Sequence, residues 1–445
     1  MRNVKSQRRL SWFPYLASAL LAALAAANGV AAQNALVLSG GGARGLAHVG
    51  VVFELEQRGY DADLVIGNSM GAVVGALYAA GYEPDEIRQR VQSVRWSELF
   101  DPTPIVLGPD RELRVPAFNV DLDIARLRFS RGLLGSWRVN RTLARLLFDA
   151  NARSRGDFDR LARRYRAIAT DLQTGDEVVL DGGDLARAVR ASMAYPGFFA
   201  PVLWGERVLI DGGIVDNFPV GVARALGAAH VIGVDVSRPT PEIESQAPFA
   251  VIQRAVNLMQ RNPRRDSTAV DALVLPETYS ASVGPGFPDD VNPLIELGRT
   301  AAQRDLPAVL PSALPGRRTL PSAPVSFSTL ELEAADSALA ALARRVFTDV
   351  IGKPYDPELV LAATDRLFAT GLFEGVWPRA ASSADTTGRP ALLVRLDAPP
   401  TVSLSLAAQY DNDRSGRGWA TLDKYGRISR LPVTYSAAVS VGGLD

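Results

Sequence analysis

Twice near the start of the chain, an apolar run ends in glycine and gives way at once to a helical pattern. Ala35-Leu36-Val37-Leu38 runs into Ser39-Gly40-Gly41-Gly42-Ala43-Arg44-Gly45, and Leu46, Val49, Phe53 and Glu56 follow at helical spacing. Leu64-Val65-Ile66 then meets Gly67-Asn68-Ser69-Met70-Gly71, and a second helical pattern runs to the break at Gly81-Tyr82-Glu83-Pro84. Strand-like Ala167-Ile168-Ala169, Val178-Val179-Leu180, Val208-Leu209-Ile210 and Val231-Ile232-Gly233-Val234 follow, with a helix over Leu185 to Ala191 among them. Strands that alternate with helices build an α/β layer, so the expected fold is α/β with a largely parallel sheet, fading after about Leu310.

Composition narrows the chemistry. A chain of 445 residues predicts two or three domains. Acidic and basic residues balance at 48 each, so no nucleic-acid partner is expected. The absence of cysteine removes disulfides, thiolate zinc sites and thiol nucleophiles. His48 and His230 are the two histidines, and any Ser-His-Asp triad has to recruit one of them. His48 falls on the helix after the glycine loop and His230 starts a strand, where packing roles are expected. No acidic cluster has calcium-loop spacing, so neither a metal nor a cofactor is expected.

Three constellations carry the chemistry. Gly40, Gly41 and Gly42, between a strand and a helix, leave backbone N–H groups to converge where the helix N-terminus adds positive potential. Such a loop suits a phosphate, a developing oxyanion or simply a tight turn, and Gly40, Gly42 and Gly45 also match the dinucleotide pattern G-x-G-x-x-G. Gly67-x-Ser69-x-Gly71 places a serine at a sharp strand-to-helix turn, a nucleophile elbow, with a helix-capping serine as the plainer alternative. This elbow weakens the dinucleotide reading. Asp211-Gly212-Gly213 directly follows Val208-Leu209-Ile210, where a strand-end carboxylate can face the same crevice. Asp181-Gly182-Gly183 has the same letters. The block Ser192 to Pro201 before Asp211, and Asp216-Asn217-Phe218-Pro219 after it, favour Asp211.

With these residues in order, the segment from about Ala35 to Leu310 resembles the patatin-like phospholipases. The resemblance implies a three-layer α/β/α sandwich with Ser69 as nucleophile and Asp211 as base. It also implies an oxyanion hole from Gly40, Gly41, Gly42 and Arg44, supported by Gly67, Gly71, Gly212 and Gly213. Asn68 departs from the pattern, which more often has threonine there. Without a histidine, a carboxylate must take the serine proton directly. An unperturbed aspartate has a pKa near ~3.9, so partial burial should raise it.

The flanking regions carry further expectations. Arg2, Lys5, Arg8 and Arg9 precede an apolar stretch from about Trp12 to Ala27, and Val30-Ala31-Ala32 supplies small residues, as in a secretory signal cleaved near Ala32. Export to the periplasm, outer membrane or outside of a Gram-negative cell follows. The expected domains are a signal over 1–32, the acyl-hydrolase domain over 33–310, a Pro-rich linker over 311–326, a small α+β unit over 327–398 and β-strands over 399–445. In the small unit one helix is expected from about Leu332 to Val350 and a second from Pro357. Gly352 to Asp356 and Leu367 to Phe373 resemble a POTRA domain, and the last strands resemble the opening of an outer-membrane barrel, incomplete because a barrel needs at least ~8 strands. Together these resemble the patatin-like type V secreted phospholipases known from Pseudomonas. A phospholipid or other lipid-ester substrate and a membrane surface are the implied partners. A POTRA-containing assembly or binding module with an inactive α/β domain is the alternative.

Overall fold

Apolar residues alternate between two buried faces along the central strands, and this decides the layering. In the computed structural model the described residues are 33–99, 136–237, 269–276, 288, 290–310 and 319–398, with the strand segments 105–108, 111–113, 117–123, 126–129, 402–409, 417–428 and 431–441. The expected signal and the 311–318 part of the linker lie outside them. Strands β1 (Gln33–Leu38) and β2 (Leu64–Asn68) are buried almost end to end, as strands covered on both faces are. Leu36, Leu38 and Val65 face one core, while Ala35, Val37, Leu64 and Ile66 face the other.

The eight-stranded sheet is completed by β3 (Arg164–Asp171), β4 (Glu177–Leu180), β5 (Val202–Trp204), β6 (Arg207–Asp211), β7 (Ala228–Val234) and β8 (Ala272–Val274). Strands β8, β7, β1, β2 and β3 lie parallel in that order. Strands β4, β5 and β6 run antiparallel to their neighbours, so the sheet is mixed where a largely parallel one was expected. The reason is local. Tight turns with Gly175 and Gly205 at positive φ join β3 to β4 and β5 to β6, and a chain that reverses so quickly pairs antiparallel.

Helices cover both faces. The larger core takes α1 (Ala47–Gln57), α2 (Met70–Ala79), α3 (Pro84–Gln92), α4 (Ser136–Ser154), α5 (Leu185–Ser192) and, late in the chain, α7 (Asn292–Asp305). The opposite face packs against α6 (Val220–Ala225). Helix α2 is buried on every side and correspondingly apolar all round. Helix α4, which goes beyond the sequence expectation, buries Val139, Leu143, Leu146, Leu147 and Ala150, a stripe at helical spacing.

A second unit packs on the far side of α4. It comprises β9 (Leu330–Ala334), α8 (Ser337–Phe347), α9 (Pro357–Phe368), β10 (Gly375–Ala384) and β11 (Pro390–Asp397), in sheet order β9-β11-β10. Leu330 to Ala334 is a strand, not the start of the helix expected from Leu332. The Leu-Glu-Leu-Glu alternation has strand period, and Asp336 begins the helix by accepting hydrogen bonds from the amides of Ala338 and Leu339. Phe148 and Ala152 of α4 belong to this unit's core. Across the same face Asn140 Nδ2 donates to the Glu374 carbonyl (2.7 Å), Arg141 pairs with Asp365 (2.7 Å) and the Tyr355 hydroxyl donates to Asp149 (2.8 Å). The last strands, β12 (Val402–Gln409), β13 (Arg417–Ile428) and β14 (Leu431–Val441), form an antiparallel meander, and β12 also pairs with Ala117–Asp123.

Candidate active site

The elbow is built by steric exclusion. At the end of β2, Ser69 turns to φ 52° and ψ −121°, and among the described residues only Arg155 is another non-glycine at positive φ. Such a backbone costs on the order of 1–3 kcal/mol and persists only where its surroundings enforce it. Here they do. A Cβ on Gly67 would lie 2.6 Å from Ala72 Cα, and one on Gly71 would lie 2.6 Å from the Ser39 carbonyl oxygen. Helix α2 starts at Met70, so its N-terminal amides direct positive potential at the half-buried Ser69.

The register of β3 brings the carboxylate to the elbow. Ala167 and Ile168 pair with β2 and also with β4, so those two strands flank opposite edges of β3. Ala169 and Thr170 pair with β4 and with β6, so β6 shares the edge that β2 occupies. Strand β2 ends opposite Ile168 and β6 ends opposite Ala169. Asp211 therefore arrives head-on at Asn68 and Ser69. Its side chain is fully buried, and Oδ1 accepts a hydrogen bond from the Gly213 amide (2.8 Å).

Burial pushes the Asp211 carboxyl up to about 6, against the opposing pull of the Ser69 hydroxyl, the Gly213 amide and the Asn68 side chain. Oδ2 is buried and makes no hydrogen bond of ordinary geometry among the described residues. The Ser69 hydroxyl lies close enough to favour the anion.

The glycine loop closes the third side. A Cβ on Gly40 would lie 3.1 Å from Ser69 Cβ and 2.9 Å from Asn68 Nδ2, so only glycine lets the loop approach Ser69. The Gly40 amide donates to the Asn217 carbonyl (3.2 Å), which leaves Gly41 and Gly42 as the loop's candidate donors. Gly42, at φ 56°, opens a 3₁₀ turn to Leu46, where first-turn amides lack intrahelical acceptors. Arg44 is exposed on that turn. Below it His48 Nε2 donates to the Ser39 carbonyl (2.9 Å), and burial lowers this ring to about 4, so it is neutral at physiological pH. His230 pairs with Asn34, at the end of β1 away from the glycine loop. Among the described residues no group of carboxylates and histidines is placed to hold a metal.

Sequence reasoning singled out neither Ser192 nor Asn217 as a site residue, and treated Asn68 only as a departure. All three are buried at the centre. Ser192 Oγ accepts from the Ser69 amide (2.9 Å), Asn68 Nδ2 donates to Asn217 Oδ1 (2.9 Å), and Asn217 Nδ2 donates to the Gly40 carbonyl (3.2 Å). Their signal was present in the blocks on either side of Asp211. Phe199, in the first block, is buried under the Arg190 guanidinium and belongs to the core.

A serine at a strand-to-helix elbow, a buried carboxylate and a glycine loop thus meet at one end of a mixed α/β sheet, in the segment from β1 to α6. Within it, the family model for patatin-like phospholipase matches residues 36–224, and the chain carries a patatin-like phospholipase domain. Similarity to curated proteins extends over a stretch of comparable length. "Patatin-like phospholipase domain-containing protein 6" of Homo sapiens is 34% identical over 204 residues, 45% of this chain and 13% of that protein. "Lysophospholipase NTE1" of Debaryomyces hansenii is 32% identical over 207 residues, 45% of this chain and 12% of that protein. An "Uncharacterized NTE family protein" of Mycobacterium tuberculosis is 34% identical over 206 residues, 46% of this chain and 49% of that protein. The chain thus spans half or less of the length of these relatives. The solved structure of VipD from Legionella pneumophila aligns with a TM-score of 0.37 and 12% identity over 62% of this chain and 66% of that one, too remote to carry an argument.

Proposed function

We propose that this chain is a lipid acyl hydrolase of phospholipase A or lysophospholipase type, working with a Ser69–Asp211 dyad. The observation that carries this reading is a fully buried carboxylate, raised to about 6, beside a hydroxyl held at a strained elbow. Ser69 Oγ attacks the ester carbonyl while Asp211 takes its proton. The amides of Gly41 and Gly42, with the N-terminus of α2, hold the oxyanion. Collapse of the tetrahedral intermediate expels the alcohol, which receives the proton from Asp211, and leaves Ser69 acylated. Asp211 then deprotonates a water, which attacks the acyl-enzyme. The fatty acid leaves and Ser69 regains its hydrogen.

Similarity to the lysophospholipase of Debaryomyces hansenii makes lysophospholipids natural first substrates. We further propose that the chain is exported to the outer membrane or beyond, with the second unit acting as a POTRA-like module and β12 to β14 as barrel strands. The β-α-α-β-β order supports the former. Support for the latter is the exposure of Tyr435, Val439 and Val441, which share one face of β14, beside Leu422 on β13, as on a lipid-facing strand surface. The test is labelling by a fluorophosphonate probe, together with mass-spectrometric identification of products from a defined phospholipid. Labelling at Ser69 and release of free fatty acid, both lost in Ser69→Ala, are expected. An unlabelled, inactive wild type would leave the α/β domain as inactive cargo on an assembly module.

A further inference from the structure

Two backbone groups with fixed roles bound the polar centre of the site. The Ser69 N–H can only donate, and the Gly40 C=O can only accept. Between them stand Ser192, Asn68 and Asn217, at 0%, 0% and 5% exposure. The Gly40 carbonyl takes Asn217 Nδ2 (3.2 Å), so Asn217 turns its Oδ1 to Asn68. Asn68 must then present Nδ2 to Asn217 (2.9 Å), which turns its own Oδ1 towards Ser192. The Ser192 hydroxyl donates to that oxygen over a longer 3.4 Å and accepts from the Ser69 amide at 2.9 Å. The acceptor-only Gly40 carbonyl sets the polarity of both amides, and Ser192, which accepts from the Ser69 amide, still has its hydroxyl hydrogen to give to Asn68, so the row has a single orientation.

We propose that Ser192 and Asn217 are positioning residues, which through Asn68 hold the nucleophile's backbone at a set distance from the oxyanion loop. The inference rests on the acyl-transfer reading above and adds two residues to it, from separate elements. Ser192 ends α5, and Asn217 follows the turn after Asp211. Asn217 grips Gly40 at both of its polar atoms, since the Gly40 amide also donates to the Asn217 carbonyl (3.2 Å). A side-chain relay is needed because Ser69 is strained. Without the Ser192 acceptor, its amide loses its brace and the elbow can relax away from the loop. Displacements of this kind near reacting atoms cost up to about a hundredfold in rate.

The test uses the full chain, a soluble p-nitrophenyl ester and the rate of fluorophosphonate labelling. Ser192→Ala and Asn217→Ala should each lower kcat and labelling about 10- to 100-fold, with KM within about twofold and thermal melting still cooperative. Each should leave the midpoint of the acid limb of the kcat–pH profile in place, because neither side chain stabilises the Asp211 anion. Asn68→Ala should move that midpoint upward, because its side chain does. The double variant Ser192→Ala/Asn217→Ala should cost no more than the worse single one, since either break opens the same row. Losses that add, or a kcat within twofold of wild type in either single variant, would overturn the proposal. So would a loss that merely follows the unfolded fraction in circular dichroism. If wild type itself neither labels nor hydrolyses, the acyl-transfer reading fails and this inference goes with it. A wild type that labels, beside variants that label equally, removes the relay alone.

Discussion

Asp181-Gly182-Gly183 and Asp211-Gly212-Gly213 share their letters and their position after a strand of valine and leucine. They also share a neighbour, because β4 and β6 both run antiparallel to β3, on its opposite edges. Strand β4 runs along its own edge as far as Ala167, and Asp181, the next residue, is exposed. Strand β6 runs along an edge that β2 already fills as far as Ile168, and it stops at Ala169 with Asp211 fully buried against the elbow. The sequence of the motif is therefore silent about its chemistry. Occupancy of the adjacent sheet edge buries one aspartate beside Ser69 and leaves the other on the surface.

The widest gap between the two should appear in turnover. Asp211→Asn keeps the shape and removes the proton acceptor, so kcat for a soluble ester should fall by about 10²–10⁴-fold, the usual contribution of a positioned general base. Asp181→Asn should stay within about twofold in the same assay. A large loss from Asp181→Asn would break the comparison outright. The acid limb of the wild-type kcat–pH profile should sharpen it, with a midpoint at about 6 set by burial of Asp211. Activity should rise with pH through that value, since only the ionised carboxylate accepts a proton.

Stability should differ in the opposite direction. Below pH 3.8 the Asp211 carboxyl is protonated in both the folded and the unfolded chain, and its burial is not penalised. Between 3.8 and about 6 the unfolded chain releases the proton and the folded chain keeps it, so stability falls as pH rises. Above that window the full penalty, on the order of 2–3 kcal/mol, is present. Asp211→Asn should therefore raise the urea midpoint at pH 8 and lose that advantage near pH 3.5. A variant that is less stable than wild type at pH 8 would argue against a desolvated anion.

The glycines after each aspartate give a smaller contrast. A Cβ on Gly212 would lie 2.5 Å from the Ile168 carbonyl oxygen and equally close to Asn68 Oδ1, both held by the sheet. Gly212→Ala should cost about 1–3 kcal/mol, as overpacking usually does. A Cβ on Gly182 would meet one atom, the Gly156 carbonyl oxygen, at 3.1 Å, and urea denaturation of Gly182→Ala should differ from wild type by under about 1 kcal/mol.

Much of this site was legible before any coordinates, because its three motifs each sit at a strand end, where glycine and apolar runs signal a turn without ambiguity. Ser69 and the glycine loop came from such local context, and the preference for Asp211 over Asp181 came from the blocks that flank it, Ser192 to Pro201 and Asp216 to Pro219. Three things were not legible. The mixed character of the sheet depends on two hairpins around Gly175 and Gly205, whose glycines read equally well as loop residues. The engagement of Gly40 by Asn217 joins positions 177 residues apart, and no local pattern announces it. The long helix α4 joins the two units through Arg141 and Arg145, which meet Asp365, and no local pattern announces that pairing.

The smallest effect is the one that isolates the side chain from the backbone. Asp181 contributes to the fold through its carbonyl, which accepts from the Phe158 amide (3.2 Å), and Gly183 follows by donating to the Gly156 carbonyl (2.7 Å). These main-chain bonds strap the end of β4 to the loop after α4. The Asp181 carboxylate takes no part in them, and it makes no hydrogen bond or ion pair among the described residues. Replacing it with asparagine keeps the backbone and changes only an exposed charge, so thermal unfolding should move by less than about 0.5 kcal/mol in equivalent stability. A larger shift would mean that this side chain, too, is held by its surroundings. The contrast between the two edges of β3 would then be one of degree.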